Sequence, residues 1–328
     1  MSKAEKSVKS MGSQLMKKYG IGLVLIVLLV VGGIMIPGFL SVKNVTNVLR
    51  QISVTGILAL AEAILIISGQ IDLSVGSVVA LSGMVSVQIY LKTGSLVVGI
   101  LVAIAIGALV LVVSGFLVAK VKLTAFIATM AMDYIARGLC YIYTNGQSTY
   151  EIGDYSVIST TYVGPIPVPV IILLVCAIAM AILLNKTTLG RDVFAIGGNQ
   201  AAANASGIIV DKTIIRAFLV AGLLTGVATI LQIARVNSAI PSTAENYHGD
   251  AIAAAVIGGV SFTGGIGTVG GVLIGSCIMG FLSNFMNLLG LSGYFQQVTK
   301  GVIILLALSF DLLTKNDKVK NFFKRARA

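Results

Sequence analysis

The sequence predicts an all-α polytopic membrane protein of about ten transmembrane helices, with broken-helix elements among them. Three observations carry that prediction. The first is composition: of 328 residues, 57% are hydrophobic and 11% charged, against about a quarter charged in an ordinary soluble domain. The apolar share is about 187 residues, close to the roughly 200 needed by ten spans of about 20 residues. A soluble fold of this length could not hide so much apolar surface, and the same numbers exclude disorder. The second observation is continuity. The apolar runs are unbroken, whereas an outer-membrane barrel alternates apolar with polar residues. The third is the placement of charge. The net charge is +11, but Lys3, Lys6, Lys9, Lys17 and Lys18 precede the first apolar run, and Lys315, Lys318, Lys320, Lys324, Arg325 and Arg327 follow the last. Charge that brackets spans in this way reports membrane orientation rather than nucleic-acid binding.

The runs fall at 20–40, 53–70, 73–91, 95–119, 124–144, 167–185, 214–234, 249–262, 267–289 and 297–313. The eighth is short and glycine-rich, so a re-entrant segment is an open alternative there. The expected organisation is a basic tail over 1–19, a membrane domain over 20–313 and a second basic tail over 314–328. The first run is long and is followed by no small-residue cleavage pattern, so it reads as a retained span. Two basic tails call for cytoplasmic termini and an even number of crossings. With that parity the inside loops carry Lys120, Lys122, Lys186, Arg191, Lys212 and Arg216, and 17 of the 23 Lys and Arg lie inside. Lys43, Arg50, Lys92 and Arg235 fall outside, and Arg137 and Lys300 lie within or at the ends of spans. Two longer outside segments, 145–165 and 237–250, are polar and acidic. The inside has one long loop, 185–215.

Cys140, Cys176 and Cys277 all lie in apolar runs and read as small packing residues. Three cysteines exclude a disulfide-stapled secreted module. With a single histidine, His248, there is no His-rich metal site, and no metal ligands are expected. No G-x-x-x-x-G-K-[ST] phosphate loop occurs, so the chain cannot bind ATP by that route. No nucleophile-and-base set is available, so no catalytic residue is expected. The sequence argues for a pore, a carrier or a passive subunit.

Intramembrane ionisable residues are few and each is informative. Glu62 lies in the second span, read either as a structural hydrogen-bonding group or as a pathway group. Asp133 and Arg137 are four apart on one helix face, so they can pair; a substrate-facing role is the other reading. Residues 69–77 interrupt the apolar pattern, with Gly69 able to end one helix and Asp72 or Ser74 able to cap the next. The interruption is either a tight capped hairpin or a broken-helix element lining a pathway. A second interruption, 258–271, lies in the other half, which hints at an internal repeat. In the long inside loop, Asn199 is a good N-cap, 200–205 is helix-permissive and Gly207 is a good residue to follow a helix end. A short helix is expected there, its small side chains suited to a groove on a partner.

Taken in order, several stretches resemble the ribose-type family of sugar ABC-importer permeases: I-D-L-S-V-G-S at 71–77, F-I-A-T-M at 126–130, R-G at 137–138, Y-T-N-G at 143–146, T-L-G-R at 188–191 and G-G-N-Q-A-A-A-N-A-S-G-I at 197–208. D-A-I-A-A-A-V-I-G-G-V-S at 250–261, G-G-I-G-T at 264–268 and N-L-L-G at 287–290 continue the series. The resemblance runs from about residue 20 to 313. Gln70 stands where the family usually has glycine, and 201–203 is rich in alanine. Neither departure removes a charge or a cap.

The resemblance implies a homodimer with a central pathway, a separate ATPase subunit holding ATP and magnesium, and an extracytoplasmic sugar-binding protein. It places the chain in the cytoplasmic membrane of a prokaryote, with no cofactor of its own. Its cytoplasmic coupling helix implies Gly190, Arg191, Gly198, Asn199, Ala202, Ala203, Ser206 and Gly207 as the ATPase contact. The residues expected on the translocation pathway are Glu62, Asp72, Ser74, Phe126, Asp133 and Asn145. The substrate expected is a monosaccharide, ribose first. Galactose, xylose, inositol or a furanosyl signalling molecule, an ion-coupled secondary carrier, and a structural or sensory subunit are the alternatives.

Overall fold

The computed structural model describes residues 20–150 and 152–315, with side chains as far as 309. The basic tails 1–19 and 316–328 lie outside the described residues. The helices are α1 (Gly20–Met35), α2 (Val42–Ile67), α3 (Val75–Thr93), α4 (Leu96–Ala119), α5 (Ala125–Thr144), α6 (Tyr155–Thr160), α7 (Val168–Lys186), α8 (Thr188–Gly198), α9 (Gln200–Ala205), α10 (Val210–Val236), α11 (Tyr247–Ile257), α12 (Val269–Leu288) and α13 (Gly293–Lys315). The two-residue strands β1 (Tyr162–Val163) and β2 (Ile166–Pro167) form a small antiparallel hairpin.

Among the described residues, seven helices are long and apolar enough to cross a membrane: α2, α3, α4, α5, α7, α10 and α12. Helix α1 is apolar but shorter, at Gly20–Met35. Most boundaries lie within a few residues of the apolar runs, and α2 is the exception. It begins at Val42, well before the expected residue 53, and Ser41 Oγ caps it by accepting from the Asn44 amide at 3.3 Å. Lys43, Asn44, Arg50 and Gln51 hide this first part from a hydropathy reading. Asn44 instead bonds Asn284 of α12, and Arg50 Nη2 donates to the Tyr162 hydroxyl at 2.7 Å.

Helix α2 is the axis of the bundle. Nearly all of its apolar window is buried, packed on α10, α12, α11 and α7. Helix α10 lies tightly against α4. Gly107 of α4 faces Gly222 and Gly226 of α10, and a methyl group on Gly107 would come within 2.7 Å of the Gly222 carbonyl. Membrane helices gain little from hydrophobic exclusion, so such small-residue contacts hold them together by close packing. Helices α4, α5 and α7 turn most of their apolar windows outward.

The segment 185–215, expected to be a long inside loop, is more structured than that. Before the short helix α9 comes an 11-residue helix, α8, capped by Thr187 Oγ1, which accepts from the Gly190 amide at 3.2 Å.

The eighth expected span also requires correction. Helix α11 has 11 residues, or about 17 Å at 1.5 Å per residue, too short for a core of about 30 Å. The segment before it, expected to be an outside loop, is drawn into the bundle. Ala239 pairs with Thr149 through two backbone hydrogen bonds of 2.9 and 2.8 Å, at the level where Gln88 near the end of α3 bonds Thr149. Five residues later the Ala244 carbonyl lies against Gly76, at the start of α3. Residues 239–246 therefore pass beside α3 as a bridge followed by turns, with Thr243 donating to the Ile240 carbonyl at 3.0 Å, and lead into α11. The eighth element is a discontinuous one, part turn and part half-helix.

Candidate functional site

Two helix breaks meet inside the bundle, and both are built the same way. Helix α2 ends where Gly69, with φ +77°, donates to the Ile66 carbonyl and Gln70 donates to Leu65. Helix α11 ends where Gly259, with φ +86°, donates to Val256 and Val260 donates to Ala255. Each is a Schellman stop, which needs a left-handed residue just past the helix. The same stop also ends α9, at Gly207, and α12, at Gly290.

The first break carries a buried polar cluster. Glu62, Asp72 and Ser74 have no exposed surface. Asp72 Oδ1 accepts from the Ser74 amide at 2.7 Å and from Ser74 Oγ at 2.6 Å. The Asp72 amide donates to Glu62 Oε2 at 3.4 Å. So it is Asp72, not Ser74, whose side chain caps this turn. Thr129 of α5 adds a hydrogen bond to the Ile71 carbonyl at 3.4 Å. One oxygen of each carboxyl, Glu62 Oε1 and Asp72 Oδ2, has no partner in the described structure.

The other expected pathway residues lie on α5 and at its end. Phe126 is 54% exposed on α5, Asp133 is half-buried two turns further along, and Asn145 is exposed at the end of α5 with φ +50°. Asp133 and Arg137 do not form the i, i+4 ion pair that their spacing allows. Arg137 Nη1 instead donates to the Pro241 and Thr243 carbonyls, at 2.6 and 2.9 Å. It thereby pins the turns of 241–243 to α5. Backbone carbonyls drawn into a bundle need donors, and Arg137 supplies them.

Beside that anchor is a polar group the sequence did not single out. Gln232, Arg235 and Tyr247 are hydrogen-bonded to one another. Lys300 of α13 pairs with Asp250 of α11 at 2.8 Å. The i, i+3 spacing of Gln232 and Arg235 was the available signal; the partners are tertiary.

Among the residues expected on the coupling segment, Asn199 Oδ1 caps α9 by accepting from the Ala202 amide at 3.0 Å. The helix stops at Gly207, with φ +86°. Arg191, Gly198, Asn199, Ala202, Ser206 and Gly207 are exposed. Ala203 is 4% exposed and packs into the chain itself. Gly190 is buried in the first turn of α8, against the Leu183 and Leu184 carbonyls of α7. A cavity of about 400 Å³ beside α9 is lined by Lys122, Gln200, Ala201, Asn204, Val210 and Asp211, and Asp211 is bridged to Lys120 and Lys122 at 3.2 and 2.6 Å.

The expected contact set passes over Gly197, although the 197–208 stretch that carries the resemblance begins there. It lies where the two breaks touch: the Gly265 amide donates to the Ile67 carbonyl at 2.8 Å, and Gly197 rests on both atoms. The paired glycines at 197–198 and 264–265 were the visible signal.

Seven helices long and apolar enough to cross a membrane, among the described residues, give the chain the build of a polytopic membrane protein. Residues 44–308 match the family described as "Branched-chain amino acid transport system / permease component", and the chain belongs to it. It is therefore a multi-pass transport permease component and not an enzyme. It is 40% identical over 292 residues to the ribose import permease protein RbsC of Escherichia coli (strain K12), covering 88% of this chain and 91% of that one. Over 299 residues it is 39% identical to RbsC of Bacillus subtilis (strain 168), covering 90% and 93%. Over 310 residues it is 38% identical to the L-arabinose transport system permease protein AraH of Escherichia coli (strain K12), covering 94% of each. No solved structure matches the chain significantly.

Proposed function

We propose that this chain is the permease subunit of an ATP-binding-cassette importer and carries a monosaccharide, ribose first, across the cytoplasmic membrane of a prokaryote. Two copies enclose the pathway. A separate subunit holding ATP and magnesium docks on the exposed face of α9, and an extracytoplasmic binding protein delivers the sugar. The observation that carries this reading is the similarity, over about nine-tenths of the chain, to permeases named for ribose. The family description speaks of branched-chain amino acids, but relatives near 40% identity are named for pentoses, so a pentose is the better substrate. L-arabinose is the second reading, favoured by the 38% identity to AraH.

The same reading takes α1, the seven candidate spans, the discontinuous element of 239–257 and α13 as ten crossings. That even number leaves both basic tails on the cytoplasmic side.

The test is Ala202→Glu. Ala202 is exposed and Ala203 is buried, so the substitution costs the subunit itself within about 0.5 kcal/mol. In a packed ATPase groove the extra volume alone costs roughly 1–3 kcal/mol, and an unpaired buried charge costs more. The expected result is normal insertion with loss of ATPase co-purification or of sugar uptake. Wild-type values for both would refute the docking reading, and uptake by the unpartnered wild-type chain would favour an ion-coupled carrier.

A further inference from the structure

The α8–α9 hairpin meets the membrane core through backbone, and the contact has an unusual composition. Gly197, Gly264 and Gly265 come together around the carbonyl of Ile67, the last residue of α2. A methyl group on Gly197 would overlap the Ile67 carbonyl oxygen and lie 2.5 Å from the Gly265 nitrogen. Those are the two atoms of the 2.8 Å hydrogen bond that joins the breaks. From the other side, a methyl on Gly264 would lie 2.7 Å from the Gly197 carbonyl, and one on Gly265 would lie 2.9 Å from the Gly198 Cα. Gly264 and Gly265 have φ of +85° and +73°, so the left-handed backbone that makes the approach also favours glycine. Gly198, next in the chain, has open space around it.

Side chains can adjust to a shifted neighbour by changing rotamer. Backbones in van der Waals contact cannot, and close-packed contacts pass displacement on rather than absorb it. Ile67 begins the turn that carries Asp72 and Ser74, and Gly265 belongs to the turn that follows α11. A movement of the hairpin at Gly197 is therefore felt by both breaks together.

We propose that Gly197 is a positioning residue for transport: through it, displacement of the α8–α9 hairpin is delivered to both helix breaks at once, by opening or re-aiming the hydrogen bond from Gly265 to Ile67. The proposal rests on the reading of α9 as the ATPase contact and deepens it. The mechanical signal enters at the exposed face of α9, but it crosses into the membrane domain at the glycine joint.

The test compares Gly197→Ala with Gly138→Ala in the full complex of permease, ATPase and binding protein, reconstituted in liposomes. Both add one methyl group inside a helix, and only the first meets the joint, since nothing lies within 4 Å of a methyl on Gly138. Gly138→Ala should keep assembly, ATP hydrolysis and uptake within about twofold of wild type. Gly197→Ala should still co-purify with the ATPase, yet lose at least tenfold in uptake, with hydrolysis no longer stimulated by loaded binding protein. A purely structural role would lower hydrolysis and uptake in proportion to the complex recovered. Wild-type coupling by Gly197→Ala overturns the proposal. Should Gly197→Ala fail to assemble, amide hydrogen exchange on the wild-type complex decides. The Gly265 amide should change its exchange at least tenfold between the nucleotide-free and vanadate-trapped states, and unchanged protection overturns the proposal. A wild-type permease that binds no ATPase would instead refute the underlying function, so the two failures are distinguishable.

Discussion

Replacing Gly226 with alanine tests the packing that holds the bundle together. The new methyl group would lie 2.5 Å from the Ile104 Cα and 3.0 Å from the Ala103 carbonyl oxygen, both backbone atoms of α4. Carbon atoms rest at about 3.5–4.0 Å, so α4 and α10 must part by about 1 Å over this stretch. Overpacking of this kind costs roughly 1–3 kcal/mol. Alanine returns up to about 1 kcal/mol through its better helix propensity, which leaves a net loss of up to about 2 kcal/mol. Gly138 is the control. It lies inside α5 with nothing within 4 Å of an added methyl, so Gly138→Ala should be neutral or stabilising by up to about 1 kcal/mol. Thermal unfolding in detergent can be followed by the reaction of a thiol dye with Cys140, which has no exposed surface. The midpoint should fall for Gly226→Ala and hold or rise for Gly138→Ala. Gly107→Ala opens the same gap, because its methyl would lie 2.9 Å from the Gly226 nitrogen, so the double substitution should cost less than the sum of the two. Equal midpoints for Gly226→Ala and Gly138→Ala, or strict additivity, would show that the close approach of α4 and α10 is not what holds them.

Arg137→Leu removes the donor to the Pro241 and Thr243 carbonyls and leaves two acceptors short of a partner, at about 1–3 kcal/mol each where they are desolvated; limited proteolysis within 239–246 should rise several-fold, and an unchanged cleavage rate would mean that Arg137 does not hold that segment. Reporter fusions should place both chain ends in the cytoplasm, and an external C-terminal reporter would break the count of ten crossings, most directly at the discontinuous element of 239–257.

What the sequence shows and what it hides divide along a physical line. Spans are legible because desolvation acts residue by residue, and an apolar run such as 95–119 becomes α4 with hardly a shift. The Asn199 cap and the Gly207 stop are legible because they satisfy backbone groups a few residues away. The first part of α2 is hidden because its polar residues find partners in Asn284 and Tyr162, more than a hundred positions distant. Asp133 and Arg137 mislead for the same reason. Their spacing permits an ion pair, but the turns of 241–243 bring carbonyls to which Arg137 donates instead. Segment 237–250 reads as an outside loop because it is polar, yet part of it enters the bundle once Arg137 and Gly76 give it somewhere to pack.

The glycine joint lies at the far end of that division. No local rule marks Gly197, because glycine inside a helix costs about 1 kcal/mol relative to alanine and offers nothing locally in return. Its neighbour Gly198 looks identical in sequence and has open space around it. The two differ only in what arrives from elsewhere: the end of α2 and the turn after α11. A transport subunit has a reason to keep such a position bare. A side chain there would hold the hairpin away from both breaks, and any movement of the hairpin would be taken up by rotamers before it reached them. The contact that costs α8 some helical stability is the one that removes that slack, which connects the least stable step of the local sequence to the proposed work of the whole subunit.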